Sequence, residues 1–258
     1  MSALGAESGP ETVRGLQERA ARALPASTVE HSDGWWLRHA PGCAWWVETV
    51  LPHGDGGRAA LACRVTGAEK FYADRGATAR FQITPGACPP GLDALLAERG
   101  YRAESPMSLQ TASAVRVLCD APANSLRVRL DDQPTSGWFD VWSAVHGRGG
   151  TSAPEWDMLR RVNAPSAYAS AMIGGAVVAV GRAVVDTGWV GLFGMATAPR
   201  ARGRGAARSV LAAFAEWAGG HHADTMYLQV EQDNVPAQRL YRRAGFGELA
   251  GYHYRGVR

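Results

Sequence analysis

Residues 167–218 hold the pattern that most restricts what this chain can become. Three strand-like apolar segments, 167–173, 176–185 and 189–196, follow one another closely. Gly174-Gly175 between the first two is a type I′ or II′ hairpin signal. A glycine- and arginine-rich stretch comes next, and then a helical pattern over about 206–218. Downstream stand a strand at 226–230, a helix at 235–243, a stop at Gly245-Phe246 and a last strand near 252–254. Strands and helices alternate upstream as well, so the expected fold class is α/β, with a mixed sheet of the α+β kind.

The upstream half reads as a helix over 11–24 stopped by Pro25, then short strands at 35–37, 45–47 and 49–51 separated by glycine and proline turns. A helix around 68–74, a strand at 79–84, a helix over 92–99 and a strand near 107–110 complete it. The small, proline-bearing run 120–125 separates two strand-like runs. A chain of 258 residues fits about one or two domains of 100–200 residues each. The expected division is therefore 1–122 and 123–258. The second part opens with a strand at 126–130, a helical stretch carrying Trp138, Phe139, Trp142 and Val145, and a helix around 155–162. Helical spacing makes core packing the first explanation for these aromatics and Trp156, and some are candidates to line a pocket. Three segments, ending at Gly76, Gly100-Tyr101 and Gly245-Phe246, close a helix with glycine and restart as a strand, a weak internal echo.

Composition excludes several classes. Apolar residues make up 46% and charged residues 20%, with nine tryptophans, which rules out a disordered or fibrous chain. The longest stretch free of charged and strongly polar side chains, 171–181, contains three glycines and falls short of the about 20 apolar residues a membrane helix needs. No membrane association is expected. The first residues lack an apolar run behind basic ones, so the expected location is cytoplasmic. A net charge of +3 without a basic stripe argues against a nucleic-acid partner. Cys43, Cys63, Cys88 and Cys119 are widely separated, which suggests buried free thiols, and His221-His222 is a poor metal pair. No metal is expected.

The chemistry concentrates in Arg200-Ala201-Arg202-Gly203-Arg204-Gly205-Ala206-Ala207-Arg208. Two glycines allow close backbone approach, and the following helix aims its first N–H groups at one point. Such a corner suits a phosphate or pyrophosphate. A plain turn with a solvated arginine fringe satisfies the same residues. A P-loop is excluded because Lys70 is the only lysine, and a dinucleotide fingerprint fails because its sixth position is Arg208 and a strand meander precedes it.

Here the chain resembles the GNAT superfamily of acetyl-CoA-dependent N-acetyltransferases. The family's Gln/Arg-x-x-Gly-x-Gly/Ala loop is matched by Arg200 through Gly205. Its second signature is matched by Leu228-Gln229-Val230, Asn234 and Leu240-Tyr241-Arg242-Arg243-Ala244-Gly245-Phe246. The resemblance covers 126–258 strongly, while the first 120 residues look like a degenerate copy, with Leu96 in the place of Tyr241 and no phosphate loop. Two tandem GNAT-like domains are thus implied, the second one active.

The resemblance further implies that the amides of Arg202, Gly203, Arg204, Gly205, Ala206 and Ala207 hold the pyrophosphate of coenzyme A. Met195, Ala196 and Thr197 would flank the pantetheine arm, with Asn234 beside it. Tyr241 would lie near the sulfur and protonate the departing thiolate. Transfer would be direct, from acetyl-CoA to a primary amine of a small molecule or peptide, with a backbone N–H stabilising the oxyanion. Some relatives carry a carboxylate base where this chain has Gln229. Glu231, two residues on, is then a candidate base, as are Glu155, Asp157 or a water chain. A protein N-acetyltransferase, a non-catalytic acyl-CoA-binding or interaction module, and an oligomeric assembly are all compatible with the sequence.

Overall fold

The computed structural model describes residues 9–122, 126–147 and 153–257, so residues 123–125 of the expected linker lie outside the described residues. Two compact units divide it: Met1–Ser108 with Glu231–Asp233 and Leu249–Arg258, and Leu109–Val230 with Asn234–Glu248. These bounds differ from the expected 1–122 and 123–258. The difference has a local cause at each end of the second unit. The Ala114 N–H donates to the Asp224 carbonyl at 2.9 Å, which draws residues 109–122 into the second unit before the proline-bearing run is reached. At the other end, the last strand returns to the first unit.

The first unit begins with α1 (Pro10–Ala23), whose Val13, Leu16 and Ala20 are buried at helical spacing. The hairpin β1 (Thr28–Ser32) and β2 (Trp35–His39) follows. β1 escapes sequence reading because all five of its residues are exposed. Residues 45–47, expected as a strand, form a 3-10 turn, closed by bonds from the Val47 and Glu48 N–H groups to the Ala44 and Trp45 carbonyls. Then come β3 (Val50–Pro52), α2 (Arg58–Ala73), β4 (Phe81–Ile83) and α3 (Leu92–Glu98). β5 (Arg102–Ser113) runs across the boundary between Ser108 and Leu109. Trp35, Leu37, Leu61, Val65, Phe81 and Leu92 lie in the core of the first unit.

In the second unit, α4 (Ala114–Cys119) precedes β6 (Val128–Asp131), α5 (Ser136–His146) and α6 (Ala153–Arg160). The expected meander is present as β7 (Ser166–Ile173), β8 (Ala176–Asp186) and β9 (Trp189–Thr197), all antiparallel. Positive φ at both Gly174 (55°) and Gly175 (81°) makes their hairpin the I′ type. α7 (Ala206–Gly220) buries Val210, Leu211, Phe214, Ala215 and Ala218. The strand β10 (Thr225–Glu231) pairs in parallel with β9, and α8 (Val235–Arg243) follows. The order within this unit is β5-β10-β9-β8-β7-β6.

The final strand, β11 (Gly247–Gly256), pairs antiparallel with β4 through His253↔Ile83, Tyr254↔Gln82 and Arg255↔Phe81. Arg255 and His253 both reach the Asp93 carboxylate on α3, at 2.7 and 3.0 Å. The Arg255 guanidinium holds the Asp93 carboxyl below its ordinary value. Order in the first unit is β1-β2-β3-β4-β11-β5.

All four thiols are unbridged, but none is buried as expected: Cys63 and Cys119 are exposed, and Cys43 and Cys88 are half-buried. Among the described residues no helix is long and apolar enough to cross a membrane, and no group of three or more His, Cys, Asp or Glu side chains could hold a metal.

Candidate functional site

The site is built on a defect in β9. Pairing with β8 runs Val180↔Ala196 and then Arg182↔Phe193, so Gly194 and Met195 together stand opposite Gly181. Gly194 takes φ +59°, a left-handed conformation that glycine adopts without strain, and the extra residue makes a β-bulge. Its effect is to re-aim the strand. Leu192 and Met195, three positions apart instead of two, both pack toward the α7 side, and a Cβ on Gly181 would collide with the Met195 sulfur. Space is also tight at Gly194, since a Cβ there would lie 3.0 Å from the Trp142 indole nitrogen and that ring would have to shift. A glycine inside an apolar strand is the sequence signal that this bulge leaves.

Beyond the bulge the strands part. The β9–β10 ladder extends from Trp189↔Thr225 to Leu192↔Leu228, whereas β9 continues to Thr197 and β10 to Glu231. Backbone groups of Gly194 to Thr197 therefore face a wedge between two diverging strands. Met195 and Thr197 are half-buried and Ala196 is buried.

The glycine–arginine loop closes the end of β9. Residues Pro199–Ala201 form one 3-10 turn, and the Arg202 N–H donates to the Pro199 carbonyl at 3.3 Å. This engages one of the six amides expected to hold an anion, which leaves those of Gly203 to Ala207 as the candidates. Gly203 (φ 74°) and Gly205 (φ 80°) are both left-handed, and nothing lies within 4 Å of where a Cβ would stand on either. Gly205 is the N-cap of α7 and supplies no side-chain acceptor. The first N–H groups of a 15-residue helix thus end at an open, glycine-lined space. Arg200, Arg202 and Arg204 are exposed beside it, while Arg208 turns its guanidinium to the Asp120 carbonyl.

Asn234 and Tyr241 sit on α8, which starts after β10. Asn234 is exposed and caps the helix, its side-chain oxygen accepting from the Ala237 N–H at 3.2 Å. Tyr241 faces inward and is 7% exposed. Burial pushes its phenol up to about 12, so it holds its proton at neutral pH. The last turn explains why the tyrosine comes with Gly245-Phe246. Gly245 (φ 89°) ends the helix, its N–H donating to Arg242 and the Phe246 N–H to Tyr241, the Schellman pattern. The echo in the first unit repeats these bonds at Gly100→Ala97 and Tyr101→Leu96, with leucine where the phenol would stand.

Glu231 is exposed at the end of β10 and groups by contacts with the first unit, where its charge acts on Tyr254. Glu155 and Asp157 lie on α6, half-buried and exposed. The side of the sheet opposite α7 is aromatic. Trp138 is buried and donates its indole N–H to the Gly181 carbonyl at 2.9 Å, while Phe139, Trp142 and Trp156 are half-buried neighbours. Arg182 is buried there with its guanidinium 5.1 Å from the Phe193 ring centre, its pKa lowered by burial against the opposing effect of Tyr168. His146, absent from the sequence reading, ends α5 and bonds the Met195 carbonyl at 3.1 Å.

A bulged strand, a diverging neighbour and a glycine loop opening a helix make up the candidate site, and the family match makes the chain a GNAT-type, acyl-CoA-dependent N-acyltransferase. The chain belongs to the acetyltransferase family described as "Probable histone acetyltransferase Rv0428c C-terminal", whose model matches residues 11–255. It is similar to the uncharacterized N-acetyltransferase YobR of Bacillus subtilis (strain 168), 27% identical over 252 residues, covering 95% of this chain and 98% of that protein. Among solved structures it resembles a GCN5-related N-acetyltransferase from Kribbella flavida, with TM-score 0.70 at 16% identity over 98% of this chain and 96% of the other. A tandem GNAT protein from the clavulanic acid biosynthesis pathway has TM-score 0.60 at 16% identity, with 97% and 96% covered. At these identities the two structures speak for the fold.

Proposed function

We propose that this enzyme moves an acetyl group from acetyl-CoA to a primary amine of a small molecule or of a peptide, by direct transfer. The observation that carries the donor assignment is the uncapped start of α7 behind two left-handed glycines with open space in front of them. Amides of Gly203 to Ala207 suit a pyrophosphate there, and the exposed arginines add charge complementarity. The wedge beside Met195, Ala196 and Thr197 suits an extended amide-bearing arm, because on its β10 edge the strand backbone has no ladder partner there.

In this reading the second unit does the chemistry. A backbone N–H at the β9 bulge faces the developing oxyanion, and Tyr241, kept protonated by burial, gives its proton to the departing sulfur. The first unit is a GNAT-like copy without the loop or the phenol, and it takes no donor of its own. Calorimetric titration with acetyl-CoA tests the assignment directly: one equivalent per chain is expected, and two would contradict it. Mass detection of acetylated product across a panel of primary amines and short peptides with open N-termini then separates small-molecule from peptide acceptors.

A further inference from the structure

The first unit holds a cavity of about 320 Å³ between the β1–β2 hairpin and α2, lined throughout by residues of that unit. It exists because one face of α2 carries small side chains. Leu61 and Val65 of that helix turn into the core, whereas Ala60, Cys63, Arg64 and Gly67, three and four positions apart, line the cavity. Ala60 and Gly67 are too short to fill the space over Trp35 and Leu37, the buried side chains at its base. The volume falls at the lower end of the about 300–1,000 Å³ of small-molecule sites.

The charges at the rim select the ligand. Arg64 Nε stands 3.7 Å from the Asp33 carboxylate and its Nη1 donates to the Asp55 carbonyl at 2.8 Å, so this cation is matched within the unit. Glu30 is not matched. It lies on β1 directly opposite Leu37, is exposed, and has no ion-pair partner and no side-chain hydrogen bond among the described residues. An apolar base beneath one unmatched carboxylate suits a short apolar body with a single cationic end.

We propose that this cavity binds a small apolar primary amine, its ammonium group against Glu30 and its hydrocarbon part on Trp35 and Leu37. Binding is non-covalent and independent of the acetyl-transfer reading, since neither the glycine loop nor Tyr241 takes part.

Cys63 is exposed in the cavity wall, so occupancy is read as slower alkylation of its thiol. The full-length protein, without acetyl-CoA, is titrated with hexylamine, which is cationic at pH 7 as a lysine side chain is, and then treated with iodoacetamide. Peptide masses give the rate at Cys63 relative to that at Cys119, also exposed, which corrects for reagent consumed by the amine. Hexylamine is expected to protect Cys63, 1-hexanol to need an about two- to fivefold higher concentration, and hexanoate to need more still. Glu30→Gln should bring hexylamine level with hexanol. Gly67→Leu should remove the protection: nothing lies within 4 Å of a Cβ there, and the longer side chain takes up cavity space. Thermal melting without ligand checks that both variants fold, and protection is compared within each variant. Equal protection by hexanol and hexylamine in the wild type, no protection by either, or protection that survives Gly67→Leu would overturn the proposal.

Discussion

Phe246 holds Tyr241 at two points: its N–H donates to the Tyr241 carbonyl at 3.0 Å, and its ring meets the phenol edge-on with centroids 5.9 Å apart. The backbone bond and the ring contact together fix the phenol where α8 ends. Replacing the hydroxyl alone should therefore leave the ring where it is. Tyr241→Phe is expected to lower single-turnover acetyl transfer by about 10²–10⁴-fold with little change in acetyl-CoA affinity. An unchanged chemical rate would remove Tyr241 from the mechanism and leave positioning as the main source of acceleration.

The same residue carries a pH signature. Its folded pKa of about 12 stands above the ordinary value near 10, so folding favours the protonated phenol. That contribution is complete below pH 10 and is lost as pH rises through 12. Tyr254 in the first unit, also pushed up to about 12 by burial, acts in the same direction. Urea unfolding at several pH values between 9 and 12 should show falling stability, with a shallower fall in Tyr241→Phe.

Donor binding should depend on the cap of α7. At about 100 times its dissociation constant a ligand adds roughly 2.7 kcal/mol of stability, which a melting experiment detects. Gly205→Glu should abolish the acetyl-CoA shift, because it puts a like charge into the open space before the helix. Since φ at Gly205 is +80°, the replacement also strains the backbone, and Gly205→Asn, which tolerates that conformation, is the control expected to retain a shift. An undiminished shift in the glutamate variant would refute the loop assignment.

Gly194→Val should damage both fold and donor site. A β-branched residue at φ +59° is strained by about 1–3 kcal/mol, and its Cβ would press on Trp142. Chemical denaturation should report that loss, and the KM for acetyl-CoA should rise if the bulge frames the pantetheine arm.

In the first unit, Asp93→Asn should cost about 1 kcal/mol, a modest figure because the carboxylate is half-exposed while it accepts from both Arg255 and His253. The Asp93 pKa is lowered, so this stabilisation is present above its ordinary value near 3.9 and disappears as pH falls through the lowered one. The deficit of the variant should thus vanish in strong acid.

The meander of β7 to β9, the long α7 and the end of α8 were legible because glycine punctuation and apolar spacing agree there. β1 was not, since an all-exposed strand has no alternation to read. The start of α2 was missed because its first residues, Arg58 to Ala62, carry few large apolar side chains. Residues 45–47 misled because tryptophan favours strands, whereas the local bonds close a tight turn. At the candidate site, Gly203 and Gly205 were legible as glycines between a strand and a long helix, and Tyr241 only through the resemblance to the family's second signature. A bulge is a property of two strands in register, and the bond from His146 joins residues 49 apart in sequence, so neither is written in any local pattern.

The return of β11 to β4 makes the first unit a discontinuous one, interrupted by the whole of the second. A ribosome therefore completes the sequence of the later-starting unit before the earlier one has all its strands. Until residues 249–256 emerge, β4 lacks its β11 neighbour and Asp93 its two cationic partners. Cutting the gene between the halves would leave an N-terminal fragment with an unpaired strand edge, prone to aggregate, whereas supplying the missing strand in trans would offer it a route back to the folded state.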